Sequence, residues 1–205
     1  MSYKVLALKY RPQTFATVVG QQATLMALQY ALDHKQLHHA YLFTGTRGVG
    51  KTTLARILAK CLNCERGVSS QPCGTCDMCT SIASGENVDV IEIDAASRTR
   101  VEDTRELLDN VPYATVCARF KVYIIDEAHM LTKEAWAALL KTLEEPPKHV
   151  VFILATTDVE KVPDTIISRC QRYTLMMPTR EEIKNHIAEV AKKEGRKMSD
   201  EALEL

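Results

Sequence analysis

The stretch Gly45-Thr46-Arg47-Gly48-Val49-Gly50-Lys51-Thr52 constrains this chain more than any other. It satisfies the phosphate-loop pattern G-x-x-x-x-G-K-[ST] without a mismatch. Gly45, Gly48 and Gly50 let the backbone turn tightly and aim its N–H groups at phosphate oxygens. Lys51 is placed to reach β- and γ-phosphates, and the Thr52 hydroxyl to ligate Mg²⁺. Ala40 to Thr44 reads as a buried strand ahead of the loop, and Thr53 to Lys60 as a helix behind it. The loop therefore sits on a helix N-terminus, where the backbone dipole favours anions. A glycine-rich turn that matched by chance would not be expected to carry both flanks.

The 205 residues allow one large domain, or one plus part of another. With 46% of residues apolar, a substantial core is available. Lys plus Arg and Asp plus Glu both number 26, so no global field holds the chain on nucleic acid. Such binding would need a local patch or several subunits. Met1 to Thr14 is too charged, and too short in apolar run, for a secretory signal. No run approaches the roughly 20 apolar residues of a membrane span. These features predict a soluble, cytoplasmic protein without a membrane partner. Seven cysteines in that compartment point to metal or free thiols rather than disulfides.

Residues 1–20 read as an extended arm, and Gln21 to about Lys35 as a helix with Leu25, Leu28 and Leu32 in period. Residues 62–86 are a polar, cysteine-rich insertion. Strands are expected at Val88–Asp94, Phe120–Ile125, Val150–Thr156 and Arg172–Leu175. Helices are expected at Val101–Asn110, at Lys133–Glu145 before Pro146-Pro147, and at Pro163–Ser168. After Pro178, Thr179 with Glu182 forms a capping box for a helix to about Lys193. Alternating strands and helices predict an α/β fold, a parallel sheet with helices on both faces. Residues 1–178 are read as the nucleotide-binding domain. Residues 179–205 are read as the beginning of a helical domain that continues beyond Leu205.

Val122-Tyr123-Ile124-Ile125-Asp126-Glu127 is an apolar strand ending in two carboxylates. Asp126 is expected to hold Mg²⁺ through water, and Glu127 to orient and deprotonate the attacking water. On its own the pair could equally be a solvated strand cap; beside a phosphate loop it reads as catalytic. His129 reads as structural or surface. Thr157 ends the fourth strand, where ligand crevices form, and could reach the γ-phosphate or the water; a turn-forming Thr157-Asp158 pair is the alternative. Arg169 faces away from its own loop in folds of this class, which makes it a candidate finger for a neighbour's nucleotide, against a plain surface ion pair.

Cys64, Cys73, Cys76 and Cys79 place four thiols within sixteen residues, a set suited to tetrahedral Zn²⁺ in a structural role. Cys61 competes with Cys64 but falls on the preceding helix. An iron–sulfur cluster and free thiols are the alternatives. Cys117 and Cys170 read as ordinary thiols.

Lys9-Tyr10-Arg11-Pro12-x2-Phe15-x2-Val18-Val19-Gly20-Gln21 resembles the N-terminal signature of the clamp-loader ATPases. The phosphate loop, Asp126-Glu127, Thr157 and Ser168-Arg169-Cys170 resemble that family's Walker A, Walker B, sensor 1 and SRC motifs in order and spacing. The cysteine insertion and Leu139-Leu140-Lys141-Thr142-Leu143-Glu144-Glu145-Pro146-Pro147 narrow the resemblance to the motor subunits of bacterial DNA polymerase III. The resemblance implies an AAA+ P-loop NTPase fold, with five parallel strands and then a three-helix lid. It implies that Leu8, Tyr10, Arg11, Pro12, Val18 and Val19 contact adenine and ribose. Gly45, Thr46, Arg47, Gly48, Val49, Gly50, Lys51, Thr52 and Thr53 would complete the nucleotide set. It also implies assembly with the delta and delta prime subunits, further motor copies, a sliding clamp and primed DNA. Arg169 would complete an adjacent subunit's site. The sensor 2 arginine, the collar and the polymerase-binding extension are expected beyond Leu205.

The function so implied is an ATPase within a DNA-directed DNA polymerase (nucleotidyltransferase) complex, loading a clamp onto primed DNA during replication. Ser97, Arg98, Thr99 and Arg100 are candidate contacts to DNA phosphates, against a solvated loop offset by Glu102, Asp103 and Glu106. Lys141 is a candidate relay from DNA to the site. Two alternatives remain: an ATP-gated scaffold without turnover, and another AAA+ DNA machine such as a branch-migration helicase.

Overall fold

A computed structural model describes residues 5–97 and 111–196. Five strands alternate with helices: β1 (Ala40–Thr44), β2 (Val90–Asp94), β3 (Lys121–Asp126), β4 (Val150–Thr156) and β5 (Gln171–Thr174). All pair in parallel, in the order β2-β3-β4-β1-β5. The described helices are α1 (Leu6–Lys9), α2 (Gln22–Asp33), α3 (Lys51–Asn63), α4 (Asp77–Ser84), α5 (Lys133–Glu144), α6 (Asp164–Ile167) and α7 (Arg180–Lys193).

Strand alternation builds one core on each face of the sheet. Tyr41, Phe43, Val122, Ile124, Val151 and Ile153 turn toward Leu28 and Leu32 of α2, Leu54, Ile57 and Leu58 of α3, and Ile82 of α4. Leu42, Tyr123, Ile125, Phe152 and Leu154 turn toward Trp136, Leu139 and Leu143 of α5 and Ile166 of α6. β1 and β4 are buried along their whole length, so each is apolar on both faces, as central parallel strands are. Each large side chain so buried contributes about 1.5–3 kcal/mol.

The expected α/β architecture holds, with differences at element ends and in two segments. The arm is not wholly extended: it carries α1 and a 3₁₀ turn at Phe15–Thr17, with Phe15 buried in the core. The cysteine insertion, weakly periodic in sequence, contains the eight-residue α4, capped by the Cys76 sulfur accepting from the Cys79 N–H. The Thr179–Glu182 capping box forms, with Thr179 N–H to Glu182 Oε2 at 2.8 Å and Glu182 N–H to Thr179 Oγ1 at 3.2 Å. The expected helix over 101–110 lies outside the described residues.

α3 links the phosphate loop at its start to the cysteine insertion at its end. Arg119 Nη1 donates to the carbonyls of Leu62 (2.9 Å) and Cys64 (3.2 Å) at that end. Asn63 and Phe120 exchange two hydrogen bonds, Nδ2–H to the Phe120 carbonyl (2.9 Å) and Phe120 N–H to Oδ1 (2.8 Å). The entry to β3 is thereby fixed to the end of α3.

Asp89, 1% exposed just before β2, fixes the same rim of the sheet. Its carboxylate accepts the N–H groups of Val116 (2.9 Å), Cys117 (2.8 Å) and Ala118 (2.8 Å). Burial alone would raise its pKa, but those N–H groups outweigh burial and hold it below the ordinary carboxylate value. A depressed native pKa stabilises the fold above the unfolded value of ~3.9 and is lost as pH falls through the native value. Asp89→Asn is expected to cost about 1–3 kcal/mol near neutral pH, read from urea midpoints. The gap to the wild-type chain should narrow as the pH drops below ~4; a gap that stays constant to the acid end contradicts the assignment.

Candidate nucleotide-binding site

A cleft of about 1170 Å³ opens at the C-terminal ends of the strands, between the arm, the loop before α3, and α7. This is where parallel α/β sheets bind ligands. Gly45, Gly48 and Gly50 all have positive φ, so the loop is wound as its glycines anticipate. A Cβ on Gly45 would stand 2.5 Å from the Leu175 carbonyl oxygen, so the chain following β5 closes on the loop there.

Lys51, 6% exposed, donates to the carbonyls of Gly45 (2.9 Å) and Thr46 (3.0 Å) within its own loop. Burial pulls its pKa below the ordinary lysine value, while Glu127 and Asp126 oppose that pull. Thr52 Oγ1 donates to Asp126 Oδ2, joining the first turn of α3 to the tip of β3. Glu127 follows with φ of +47°, a left-handed backbone for a non-glycine residue. Its Oε2 accepts the Thr157 hydroxyl at 3.0 Å. Asp94 pairs in register with Asp126 and also lines the cleft.

The structure brings together Tyr10, Arg11, Pro12, Arg47, Gly48, Gly50, Lys51, Thr52, Thr53, Asp126 and Glu127 around this cleft. It does not bring Leu8, Val18, Val19, Gly45, Thr46, Val49 or Thr157 into the lining; Val49 is buried in the core, and Thr157 reaches the site through its bond to Glu127. Leu8 is 55% exposed, because α1 is helical: Leu6 and Tyr10, four apart, share the cleft side and Leu8 turns outward. Val18 packs against the core instead. Ala7 joins Leu6 on the cleft wall. The opposite wall was missed from sequence. It is a stripe on α7 at helical spacing: His186 with Val190 and Glu194, and Ile187 with Ala191. The spacing was visible, but not which element it would face. Glu194 Oε1 ties the walls together, accepting from Lys9 Nζ at 2.6 Å and Tyr10 Oη at 2.7 Å.

Arg169 lies away from the cleft. Its guanidinium donates to Glu144 Oε1 (2.8 Å) and the Thr165 carbonyl (2.7 Å). Ser97 is exposed, its hydroxyl donating to the Asp94 carbonyl at 3.2 Å. Arg98, Thr99 and Arg100 lie outside the described residues. Lys141 is exposed on α5. His129, read as structural or surface from sequence, stands beside Glu127.

The sulfurs of Cys64, Cys73, Cys76 and Cys79 all lie within 4.8 Å of one another. Zn–S bonds of ~2.3 Å in a tetrahedron place sulfurs about 3.8 Å apart, and Cys73 and Cys79 stand at 4.0 Å. N–H groups of Cys73, Cys76 and Cys79 each point at a preceding sulfur of the set at 3.4 Å. The backbone N–H groups of Thr75 and Cys76 lower the Cys73 pKa, which favours a thiolate. A span this tight suits one ion better than a cluster, which spreads its thiolates over more than one iron. Cys61 is wholly buried on α3, outside the set.

A phosphate loop under a five-stranded parallel sheet, with an acid pair at the tip of β3 and a hydroxyl at the tip of β4, defines an AAA+ P-loop nucleotide-binding fold. Residues 20–179 match the family described as DNA polymerase III, delta subunit, and the chain belongs to that family. All 205 residues align at 58% identity with DNA polymerase III subunit tau of Escherichia coli (strain K12), covering 32% of that protein. They align at 52% identity with subunit gamma of Buchnera aphidicola subsp. Schizaphis graminum, covering 56% of it. The chain thus spans about a third of the one relative and just over half of the other. The RuvB Holliday junction branch migration motor of Thermotoga maritima superposes with a TM-score of 0.64 at 23% identity. That match covers 95% of this chain and 58% of the other, and shows a shared fold.

We propose that the four-cysteine set holds one zinc ion with a structural role. Native mass spectrometry is expected to find one zinc per chain, retained by Cys61→Ser and lost by the double change Cys73→Ser/Cys76→Ser. Zinc lost with Cys61→Ser, or iron in its place, contradicts the assignment.

Proposed function

We propose that this chain is the ATP-binding and hydrolysing part of a motor subunit of the bacterial DNA polymerase III clamp loader. Such a machine opens a sliding clamp and places it on primed DNA during replication. The observation that carries the reading is the convergence of Lys51, the Thr52–Asp126 contact and Glu127 at one rim of one cleft, with Thr157 bonded to Glu127. Identity of 52–58% to gamma and tau subunits supports the clamp-loader assignment over a branch-migration motor, whose likeness extends to the fold.

Each residue takes a role that its position permits. Lys51 exchanges its loop carbonyls for phosphate oxygens, which are stronger acceptors for an ammonium. Thr52 and Asp126 would hold Mg²⁺, which supplies neutralisation of charge on the β- and γ-phosphates. Glu127 orients and deprotonates the attacking water, help worth on the order of 10²–10⁴-fold. Thr157 releases Glu127 to meet the γ-phosphate, so that the presence of that phosphate is felt at the end of β4. Leu6, Ala7 and Tyr10 on one wall, and Ile187, Val190 and Ala191 on the other, form the apolar part of the cleft for the base and ribose.

Arg169, held by Glu144 on a surface away from the cleft, would act on the nucleotide of an adjacent subunit. The partners would be delta, delta prime and further motor copies, in the cytoplasm. Among the described residues, no helix is long and apolar enough to cross a membrane. Backbone contacts to DNA would start at Ser97.

ATP turnover by the assembled complex, with clamp and primed DNA present, tests the reading. Glu127→Gln is expected to slow turnover by on the order of 10²-fold or more with ATP still bound. Arg169→Ala is expected to slow it without weakening binding at the subunit's own cleft. Turnover indifferent to Glu127→Gln would instead favour a nucleotide-gated scaffold.

A further inference from the structure

We infer that His129 is a positioning residue for the Glu127 carboxylate, an inference that rests on the reading of Glu127 as general base. His129 sits on the 3₁₀ turn Ala128–Met130, immediately after the strand tip. Its side chain is 12% exposed, with Nδ1 3.0 Å from Thr156 Oγ1 and 3.5 Å from Glu127 Oε2.

The neighbours assign the proton on that nitrogen. Thr156 is fully buried at the end of β4. Its hydroxyl hydrogen goes to the Asp158 carbonyl at 3.0 Å, and its oxygen accepts the Asp158 N–H at 3.0 Å. A hydroxyl has one hydrogen to give, so the contact with His129 is made by the imidazole Nδ1–H as donor. That N–H donates to Thr156 Oγ1, and Glu127 Oε2 stands 3.5 Å from the same nitrogen. Thr156, locked by its own chain, holds the ring; the ring stands against the carboxylate.

Glu127 needs such support. Its left-handed backbone is not a relaxed state for a glutamate, so local backbone preference does not aim the side chain. The Thr157 hydroxyl donates to Oε2, at 3.0 Å. Once that hydroxyl turns to a γ-phosphate, His129 is, among the described residues, the group left beside Oε2, and Oε1 takes the proton from water. A base displaced by about 1 Å loses on the order of 10²-fold in rate. Residues on adjacent strand tips, β3 and β4, thereby share the task of holding one carboxylate.

The test compares His129→Ala, His129→Asn and His129→Gln in the assembled complex, reading kcat and, separately, ATP affinity with a fluorescent nucleotide. His129→Ala is expected to lower kcat by on the order of 10–100-fold with ATP affinity within about twofold of wild type. Asn, whose amide reaches the Nδ1 position, should recover most of the lost rate, and Gln, one carbon longer, should not. In a Glu127→Gln background His129→Ala should cause no further loss, because it acts through that carboxylate. An unchanged kcat, a full further loss in the double variant, or affinity and kcat falling together would overturn the inference. If Glu127→Gln alone leaves turnover intact, the general-base reading fails and this inference falls with it. If Glu127→Gln is slow but His129→Ala is not, only the role of His129 is wrong.

Discussion

The contact between Thr52 and Asp126 is what the site depends on. It joins the first turn of α3, and hence the phosphate loop, to the tip of β3, and hence the acid pair. Neither half can work alone: a loop without carboxylates only grips phosphate, and carboxylates without the loop have nothing to act on. The parallel register makes the meeting possible. Asp94 pairs with Asp126 across β2 and β3, and Thr44 with Thr156 across β1 and β4, so the strand tips end level around one crevice. The tips are polar because they leave the two apolar cores at the same height, after residues that are buried on both sides.

α3 carries this organisation through the molecule. Its N-terminus offers backbone N–H groups to the cleft, and its C-terminus feeds directly into Cys64. Arg119 and Asn63 tie that far end to the residues entering β3, whose other end carries Asp126. Helix and strand are therefore pinned together at both ends, by the Thr52–Asp126 contact above and by the Asn63–Phe120 exchange below. A structural metal at the four thiols would stiffen the lower anchor, although its ligands stand at the opposite end of α3 from the nucleotide.

Much of this was legible in the sequence because it is local. The phosphate loop, the apolar strands before Asp126 and Thr157, the cysteine spacing and the Thr179–Glu182 box each depend on residues a few positions apart. What was not legible depends on how separate elements face one another. The arm signature around Tyr10 and Arg11 was visible, but the short helix that turns Leu8 outward and Leu6 inward was not. The α7 stripe from His186 to Glu194 was periodic in the chain, yet only tertiary packing sets it opposite the arm. His129 reads as structural or surface because an isolated histidine after a strand has no pattern; its role depends on Thr156, 27 residues away, coming alongside. Arg169 is read from sequence either as a finger for a neighbour's nucleotide or as a surface ion pair; it pairs with Glu144, a contact that needed the approach of α6 to α5.

The claim beneath all of this is that the cleft grips a nucleoside triphosphate by its phosphates through Lys51 and the Thr52–Asp126 junction. Calorimetric titration of ATP into wild-type and Lys51→Ala chains, with and without Mg²⁺, measures it directly. The account predicts one ATP per chain, tighter binding with Mg²⁺ than without, and a loss of roughly tenfold or more in Lys51→Ala, matching a charge-assisted contact of about 1.5–3 kcal/mol. Equal affinity in the two chains, or binding indifferent to Mg²⁺, would contradict it.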